Sequence, residues 1–276
     1  MTDALFPARP SPEAARPIRF PLAIHDVSHG FPAADGSHTP ILDRVSLSIA
    51  RGEILAIVGR SGAGKSTLFN LISGLLTPQS GRIEVAPHAD GRPGQVGYML
   101  QKDLLLPWRT VLENALLGVE LSGTVTATAR SAAIDMLTRY GLGNQLHAYP
   151  HSLSGGQRQR VALTRTLLIE PAILLLDEPF SALDYETRLA LEGDVIALSA
   201  ERGISVILVT HDIEEAIAMS DRVVILGGRP ASVMADIGVT LSIAGNRDGV
   251  TAREAPEFRG YHADVWGALR QTGQRH

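Results

Sequence analysis

A short apolar run followed directly by a glycine-rich turn constrains this chain of 276 residues more strongly than any other feature. Ile54–Val58 is too short for a buried helix, and its continuous apolar character is typical of a strand covered on both faces. The turn after it matches the pattern G-x-x-x-x-G-K-[ST], and a helix is predicted from Lys65 to about Leu75. The turn and the start of the helix comprise Gly59, Arg60, Ser61, Gly62, Ala63, Gly64, Lys65, Ser66 and Thr67.

Phosphate binding requires these residue types at this spacing. Glycines allow the backbone to curl so that successive N–H groups point inward, and the following helix adds the partial positive charge of its N-terminus. Lys65 is expected to reach the β- and γ-phosphates of a nucleotide, and the Ser66 hydroxyl is expected to bind Mg²⁺. We therefore predict a nucleotide site between a buried strand and a helix.

Two adjacent carboxylates follow a second apolar run. Ala172–Leu176 predicts a buried strand, and Asp177 and Glu178 come directly after it. Ligands of parallel sheets bind in the crevice at the C-terminal ends of the strands. Asp177 is therefore expected to hold Mg²⁺ opposite Ser66, and Glu178 to accept a proton from an attacking water molecule.

The remaining apolar runs predict an α/β chain. From Asp103 to about Tyr149 helical patterns replace the strand patterns, and a further helix is predicted from about Glu186 to Glu201. This alternation predicts a parallel sheet with helices on both faces, interrupted by a helical insertion. The other predicted strands are Ile24–Val27, Val45–Ile49, Val96–Leu100, Val206–Thr210 and Val223–Leu226.

Composition limits the function classes. The chain has no cysteine, which excludes disulfides and thiolate metal sites, and its net charge of −4 gives no basic footprint for nucleic acid. No apolar run approaches the roughly 20 residues of a membrane-spanning helix. We interpret residues 1–21, rich in Pro, Ala and Arg, as a disordered leader, and residues 236–276 as a tail with one amphipathic helix.

A second glycine-containing turn precedes another predicted helix. It comprises Leu153, Ser154, Gly155, Gly156 and Gln157. Taken alone, these residues also suit a serine N-cap before an ordinary amphipathic helix. They lie about 90 residues after the phosphate loop and about 20 before the two carboxylates, and in that order they resemble the signature of the ATP-binding cassette (ABC) family.

The resemblance covers roughly residues 22 to 232 and implies the fold. It implies an α/β P-loop NTPase core with a parallel sheet, an antiparallel β subdomain and an inserted helical subdomain. The nucleotide-binding domain would then span residues 22–235, with the helical subdomain at about 102–165.

The resemblance also implies roles for residues whose types alone are weak indicators. Phe31 corresponds to the aromatic residue that stacks on adenine, and Gln101 to the glutamine that contacts Mg²⁺ and the attacking water. His211 corresponds to the switch histidine that senses the γ-phosphate, and residues 181–184 to the loop that crosses the dimer interface. Glu178, His211 and Gln101 are therefore the expected catalytic set.

In this family two nucleotide-binding domains close head to tail, so that each ATP lies between one phosphate loop and the partner's signature. The chain has one copy of each motif, and two complete sites therefore require a dimer, which we expect to be a homodimer. Ser154 and Gly156 of the second copy would complete the cage around the γ-phosphate.

The segment of residues 101–114 indicates a subfamily. It resembles bacterial importers of nitrate, aliphatic sulfonates, taurine and related compounds, in which a permease docks nearby. Leu106, Pro107 and Trp108 would form an apolar contact patch, although Trp108 could instead pack inside the helical subdomain. The resemblance implies a peripheral location on the cytoplasmic face of the cell membrane and a separate periplasmic or extracellular solute-binding protein.

Other functions fit the sequence less well. A soluble ABC ATPase acting on DNA or ribosomes would need long coiled coils or two cassettes, and the chain has neither. A kinase or GTPase would not explain residues 153–157, and an exporter subunit would differ mainly in the coupling surface, where Pro107 and Trp108 favour import.

Overall fold

The computed structural model of the chain describes residues 20–33, 37–87, 95–181 and 183–272. Residues 1–19 of the predicted leader and Ala182 of the predicted interface loop lie outside these ranges. The strands within them are β1 Leu22–Pro32, β2 His38–Ile49, β3 Ile54–Val58, β4 Ser80–Val85, β5 Val96–Met99, β6 Ile173–Asp177, β7 Ser205–Thr210, β8 Arg222–Gly228 and β9 Ala231–Gly238. The helices are α1 Lys65–Ile72, α2 Val111–Ser122, α3 Ala127–Arg139, α4 Gly155–Leu167, α5 Tyr185–Arg202, α6 Ile213–Met219, α7 Gly249–Glu254 and α8 Phe258–Gln271, with 3₁₀ turns at Gly143–Gln145 and Pro150–Ser152.

Across the part of the chain that the structure describes, nine strands form one sheet in the order β4-β1-β2-β9-β8-β3-β7-β6-β5. Strands β8, β3, β7, β6 and β5 are parallel neighbours. In β3 and β7 every residue is buried, as expected of strands covered by helices on both faces. The parallel half of the sheet therefore supplies a fixed edge at which its strands end together.

The other half of the sheet is mainly antiparallel. β1 pairs with β2 on one side and with β4 on the other, and β8 pairs with β9. Helices α2, α3 and α4 form the helical insertion, and α2 packs against both α3 and α4. The predicted fold class is confirmed: a parallel core, an antiparallel β subdomain and an inserted helical subdomain.

Two strands escaped prediction because neither has a buried apolar face. All six residues of β4 are exposed or half-buried, and β9 has one buried residue, Ala231. Helix α1 was expected to reach about Leu75 but ends at Ile72. Gly74, two residues later, has a positive φ of 77°, which a helix cannot contain. Residue 235, the proposed end of the nucleotide-binding domain, lies inside β9.

The C-terminal segment contains two helices rather than the single one expected. Helix α7 packs against α6 and α5, and α8 packs against α6, β8 and β9. Val265 of α8 and Ala252 of α7 are fully buried beside Ala216 and Val223. The second helix was missed because α7 has six residues, too few to display a helical period. Among the described helices, none is long and apolar enough to cross a membrane.

A buried ion pair ties α7 to α5. The guanidinium of Arg253 donates to both carboxylate oxygens of Glu192, at 2.8 and 3.2 Å, and the Glu192 side chain is completely buried. Removal of one partner from a buried pair leaves an uncompensated charge, which costs far more than loss of an exposed pair.

Arg253→Ala is therefore expected to lower the free energy of unfolding by about 3–5 kcal/mol, because Glu192 stays buried without its partner. Urea denaturation followed by circular dichroism measures this loss. Arg259→Ala, at an exposed arginine of α8, is the matched control and should change stability by less than about 0.5 kcal/mol. Equal effects of the two substitutions would contradict the prediction.

Candidate functional site

The ends of four parallel strands bring the predicted site residues to one edge of the sheet. Val58 at the end of β3 pairs with Thr210 at the end of β7, and Asp177 of β6 pairs with Val209. Met99 of β5 pairs with Leu176. The glycine-rich loop, His211, Glu178 and Gln101 each follow one of these strand ends, so they converge although they are far apart in sequence.

The glycine-rich loop needs glycine at defined points. Gly62 and Gly64 have φ values of 79° and 76°, which side-chain-bearing residues rarely adopt. A Cβ on Gly59 would lie 2.6 Å from the carbonyl oxygen of Leu226. The Lys65 ammonium donates to the carbonyl oxygens of Gly59 at 2.8 Å and Arg60 at 3.1 Å, so it lies over the loop that it follows.

The loop and the carboxylates line one open cleft of about 640 Å³. The residues that line it are Ile41, Gly59, Ser61, Gly62, Ala63, Gly64, Lys65, Ser66, Thr67, Gln101, Asp177, Glu178 and His211. Most of the predicted phosphate-binding, metal-binding and catalytic residues therefore share one cavity. Of the loop residues predicted to bind phosphate, only Arg60 does not line it.

Asp177 lies between the start of α1 and strand β5. The Ser66 hydroxyl donates to its carboxylate at 3.4 Å, and Tyr98 of β5 interacts with the same carboxylate. Burial raises the pKa of the Asp177 carboxyl, and the charge of Glu178 raises it further. Burial likewise lowers the pKa of Lys65 and raises that of Tyr98 to about 12. Burial in the cleft therefore disfavours the charged forms of both Lys65 and Asp177, and a bound group of opposite charge would stabilise each of them.

Glu178 is held at the centre of the predicted catalytic set. It adopts a positive φ of 48°, and its backbone N–H donates to Val209 at 2.8 Å. Gln101 donates its amide N–H to one carboxylate oxygen at 2.9 Å, and Nδ1 of His211 lies 3.3 Å from the other. Ser181 donates its hydroxyl to the Glu178 carbonyl oxygen at 3.0 Å. The structure thus brings Glu178, Gln101 and His211 into direct contact.

The residues predicted to bind Mg²⁺ suit a hard cation. Ser66, Asp177 and Gln101 offer a hydroxyl, a carboxylate and an amide oxygen, which are the oxygen ligands that Mg²⁺ prefers. The Ser66 and Asp177 oxygens are already within 3.4 Å of each other. The donor set therefore fits the metal that the nucleotide would bring.

The second glycine-containing turn lies outside this cleft. Ser154 caps α4 through a capping box, in which its hydroxyl accepts from the backbone of Gln157 and the Gln157 side chain accepts from the backbone of Ser154. A Cβ on Gly156 would lie 2.9 Å from the Leu183 side chain. Gly155 lines a separate cleft with Gln101 and residues 102–104. Within one copy of the chain, these residues do not line the cleft of the phosphate loop.

Phe31 lies near the end of β1 and also does not line the cleft. Its ring is 41% exposed and contacts the ring of His29 edge to face, with centroids 5.1 Å apart. Leu42 of β2 connects this region to the loop, because its side chain lies 2.7 Å from the position that a Cβ on Gly64 would occupy.

Sequence reasoning missed three residues of the site region. Tyr98 was unmarked, although it precedes Gln101 by three residues in a predicted strand, and pairing of that strand with Ala172–Leu176 would have placed it near Asp177. Ile41 lines the cleft without any distinguishing pattern in sequence. Arg188 of α5 donates to Asp212 at 3.0 Å, a contact between elements that no local pattern predicts.

Comparisons with known proteins agree on one family. A family model described as ABC transporter matches residues 42–181. The aliphatic sulfonates import ATP-binding protein SsuB 2 of Agrobacterium fabrum is 47% identical over 193 residues, 68% of this chain and 71% of that protein. The formylaminopyrimidine import ATP-binding protein ThiZ of Halalkalibacterium halodurans is 40% identical over 218 residues, 79% of this chain and 84% of that protein.

A solved structure matches the fold as well. It is described as a dimeric post-hydrolysis state of the ATP-binding cassette MJ0796 bound to ADP and Pi. The TM-score is 0.71 at 30% sequence identity, and the match covers 79% of this chain and 99% of that chain.

A buried carboxyl lies behind the site. Glu215 of α6 is 3% exposed, and burial, together with the charges of Glu192 and Asp212, raises its pKa to about 8. The folded chain therefore binds this proton more tightly than the unfolded chain does. The contribution of protonated Glu215 to the free energy of unfolding is lost as the pH rises from about 4.5 through about 8.

Glu215→Gln is expected to remove this loss, because the amide stays neutral at every pH. Relative to the parent chain, the variant should gain at least about 1.4 kcal/mol of unfolding free energy between pH 5 and pH 8.5, the equivalent of one pKa unit. Urea denaturation at several pH values measures the difference. The matched control is Glu201→Gln on an exposed position of α5, and an identical pH dependence for both variants would refute the assignment.

Proposed function

Because the chain belongs to the ABC transporter family and is the ATPase subunit of an importer, we propose that two copies bind two ATP molecules between them and drive solute uptake. The observation that carries this proposal is the single cleft in which Lys65, Asp177, Glu178, Gln101 and His211 surround the glycine-rich loop. We assign the nucleotide-binding domain to residues 22–235 together with the end of β9 at Gly238, and its helical subdomain to about 102–165. The C-terminal tail is the rest of residues 236–276.

The proposed site binds the triphosphate along the loop. Backbone N–H groups between Gly59 and Gly64 and the N-terminus of α1 face its oxygens, and the Lys65 ammonium turns from the loop carbonyls to the β- and γ-phosphates. The triphosphate also relieves the unfavourable environment of Lys65, since burial lowers the pKa of this ammonium. Phe31 would stack on the adenine.

Hydrolysis requires a water molecule in line with the bond between the γ-phosphorus and its bridging oxygen. Glu178 accepts a proton from this water as the oxygen bonds to phosphorus, and the electron pair of the broken bond leaves on ADP. Gln101 and His211 already contact the Glu178 carboxylate, so they fix it for this role and lie close to the γ-phosphate position. Thr67 follows Ser66 in the cleft and is assigned to the nucleotide phosphates.

Mg²⁺ would be held by Ser66, Asp177 and Gln101. When bound, Mg²⁺ neutralises part of the triphosphate charge. Tyr98 of β5 interacts with the Asp177 carboxylate, so it would help to hold this carboxylate toward Ser66.

Closure of a homodimer explains the residues that do not line the cleft. Ser154, Gly155, Gly156 and Gln157 lie at the N-terminus of α4, which carries partial positive charge, and this end would face the γ-phosphate in the partner's cleft. The dimeric relative bound to ADP and Pi supports the arrangement. Neither copy alone has a complete cage for the γ-phosphate, so hydrolysis depends on association.

The permease would contact the turn that precedes α2. Trp108 is 71% exposed and Pro107 is exposed, whereas Leu106 is half-buried. Leu104, four residues before Trp108, is also exposed, so this turn presents large apolar side chains of the kind that mark a binding surface. The dimer would therefore be peripheral, bound to a permease at the cytoplasmic face of the cell membrane.

The solute is proposed from the relatives. SsuB 2 and ThiZ carry the names of aliphatic sulfonates and formylaminopyrimidine import, so we propose a small solute such as a sulfonate, taurine, nitrate or a related compound. A separate periplasmic or extracellular binding protein would select it and deliver it to the permease.

Glu178→Gln tests the catalytic assignment. The amide cannot accept the proton of water, so ATP hydrolysis should fall by about 10²–10⁴-fold. ATP should still bind and should hold the two copies together, because reopening follows hydrolysis. Size-exclusion chromatography with light scattering should show a dimer with ATP and Mg²⁺ and a monomer with ADP. A variant that stays monomeric with ATP and Mg²⁺ would contradict the sandwich.

Trp108→Ala tests the permease contact. Because Trp108 is largely exposed and outside the cleft, the ATPase rate of the isolated chain should stay within about twofold, whereas solute-stimulated ATPase of the reconstituted transporter should fall at least about fivefold. Leu121→Ala, at an exposed apolar residue near the end of α2, is the control and should preserve both rates. Parallel loss of both rates in the Trp108 variant would assign it a structural role instead.

A further inference from the structure

A side-chain amide holds the backbone next to the proposed adenine platform. The carbonyl oxygen of Gln79 accepts from the backbone N–H of Gly30 at 3.0 Å, and its amide nitrogen donates to the Gly30 carbonyl oxygen at 3.1 Å. Gln79 precedes β4, and Gly30 precedes Phe31 in β1. Both backbone hydrogen-bonding groups of Gly30 are therefore paired with a single side chain.

This clamp replaces strand pairing that cannot form. The pairing of β1 with β4 ends at Ser28 and Ser80, and continuation of the same register would place Pro78 opposite Gly30. Proline has no N–H to donate to the Gly30 carbonyl oxygen. Gln79 supplies the missing donor and acceptor from its side chain, while its own backbone N–H donates to Ser28 at 3.1 Å.

The contacts fix the amide in one orientation. A reversed amide would set its oxygen against the Gly30 carbonyl oxygen and its N–H₂ against the Gly30 N–H. The second hydrogen of the amide nitrogen then points to Nε2 of His38, which lies 3.1 Å away. His38 also leaves no room for a side chain at residue 30, because a Cβ there would lie 2.4 Å from its ring.

The clamp and an aromatic contact together determine where the Phe31 ring lies. His29 and Phe31 project from the same face of β1, and the buried His29 ring contacts Phe31 edge to face with an interplanar angle of 81°. Gly30 between them has no side chain to pack, so its backbone position depends on hydrogen bonds. Without Gln79, the outer edge of the strand at Gly30 would be open to water.

We propose that Gln79 positions Phe31 for the purine base, so that the contribution of the base to ATP affinity depends on this amide. The inference rests on the proposed function, in which Phe31 stacks on adenine. Gln79 touches neither the base nor the phosphates in this role, and it acts through Gly30 on the ring. Its removal should therefore weaken recognition of the base and leave phosphate binding unchanged.

Gln79→Met keeps the length of the side chain and removes both hydrogen bonds to Gly30, together with the contact to His38. It is compared with Phe31→Ala and with the double variant. Titration calorimetry with the full chain in EDTA buffer measures binding of ATP and of inorganic tripolyphosphate, which has no base. Stacking of a base on an aromatic residue contributes roughly tenfold to hundredfold to affinity, so Phe31→Ala should weaken ATP binding by about that factor. Gln79→Met should weaken it by about fivefold to tenfold, and tripolyphosphate should bind all variants alike.

The double variant separates positioning from general support of the fold. If Gln79 acts through Phe31, Gln79→Met should cause no further loss of ATP affinity in the Phe31→Ala background. The inference would be overturned if the two substitutions caused additive losses of ATP affinity, or if Gln79→Met weakened ATP and tripolyphosphate binding equally. It would also be overturned if Phe31→Ala weakened ATP binding while Gln79→Met left it unchanged. If Phe31→Ala itself leaves ATP affinity unchanged, the adenine assignment fails, and the role of Gln79 fails with it.

Discussion

Two adjacent carboxylates at the end of a buried strand are the constraint around which this structure is arranged. Asp177 and Glu178 follow four residues of β6 that are completely buried, and like charges so close together in a partly desolvated place repel each other. Compensation comes from elements that are distant in sequence: Lys65 and Ser66 from α1, Gln101 after β5 and His211 after β7.

The backbone separates the tasks of the two carboxylates. Asp177 still belongs to β6, so its side chain alternates with Leu176 and lies on the α1 face with Ser66. Glu178 takes a positive φ, which turns its carboxylate toward Gln101 and His211 instead. A residue with a side chain tolerates this conformation only where its surroundings impose it, and here the hydrogen bond of its N–H to Val209 contributes to that. One strand end thus presents two carboxylates in different directions, one proposed for Mg²⁺ and the other proposed as the proton acceptor.

Features that depend on a local sequence pattern could be predicted, whereas features that depend on contacts between distant segments could not. The parallel strands were predictable because complete burial requires continuous apolar runs, and the phosphate loop because its backbone requires glycine at fixed intervals. Strands β4 and β9 could not be predicted, because exposed and half-buried strands do not require a continuous apolar run. Tyr98 and Gln79 depend on strand pairing between distant segments, which a pattern along one segment does not contain. The residues of the signature were recognisable in sequence, yet within one copy of the chain they do not line the cleft, which is why we propose that they act on the cleft of a second copy.

The C-terminal helices share a polar network with the site. Arg253 of α7 neutralises Glu192 of α5, and one turn earlier on α5 Arg188 donates to Asp212, the residue after His211. Asp212 in turn caps α6 with its side chain. The Glu192 carboxylate is completely buried and the Arg188–Asp212 pair is half-buried, so a shift of α5 or α6 would separate these charges from their partners. The tail therefore helps to fix α5 and α6, which hold His211 in place, although the tail itself lies outside the cleft.

Side-chain amides recur where the chain must hold an irregular segment rigid. Asn114, completely buried in α2, accepts from the backbone N–H of Leu106 at 2.7 Å and donates to the carbonyl oxygens of Leu106, Arg109 and Thr110. This amide fixes the turn that exposes Trp108, just as Gln79 fixes the strand end that presents Phe31. A partner that meets a preformed aromatic residue does not have to order it, so more of the contact energy appears as affinity. Two exposed aromatic rings are thus held in the same way, by a side-chain amide that is hydrogen-bonded to the neighbouring backbone. One ring is proposed to bind the base and the other the permease.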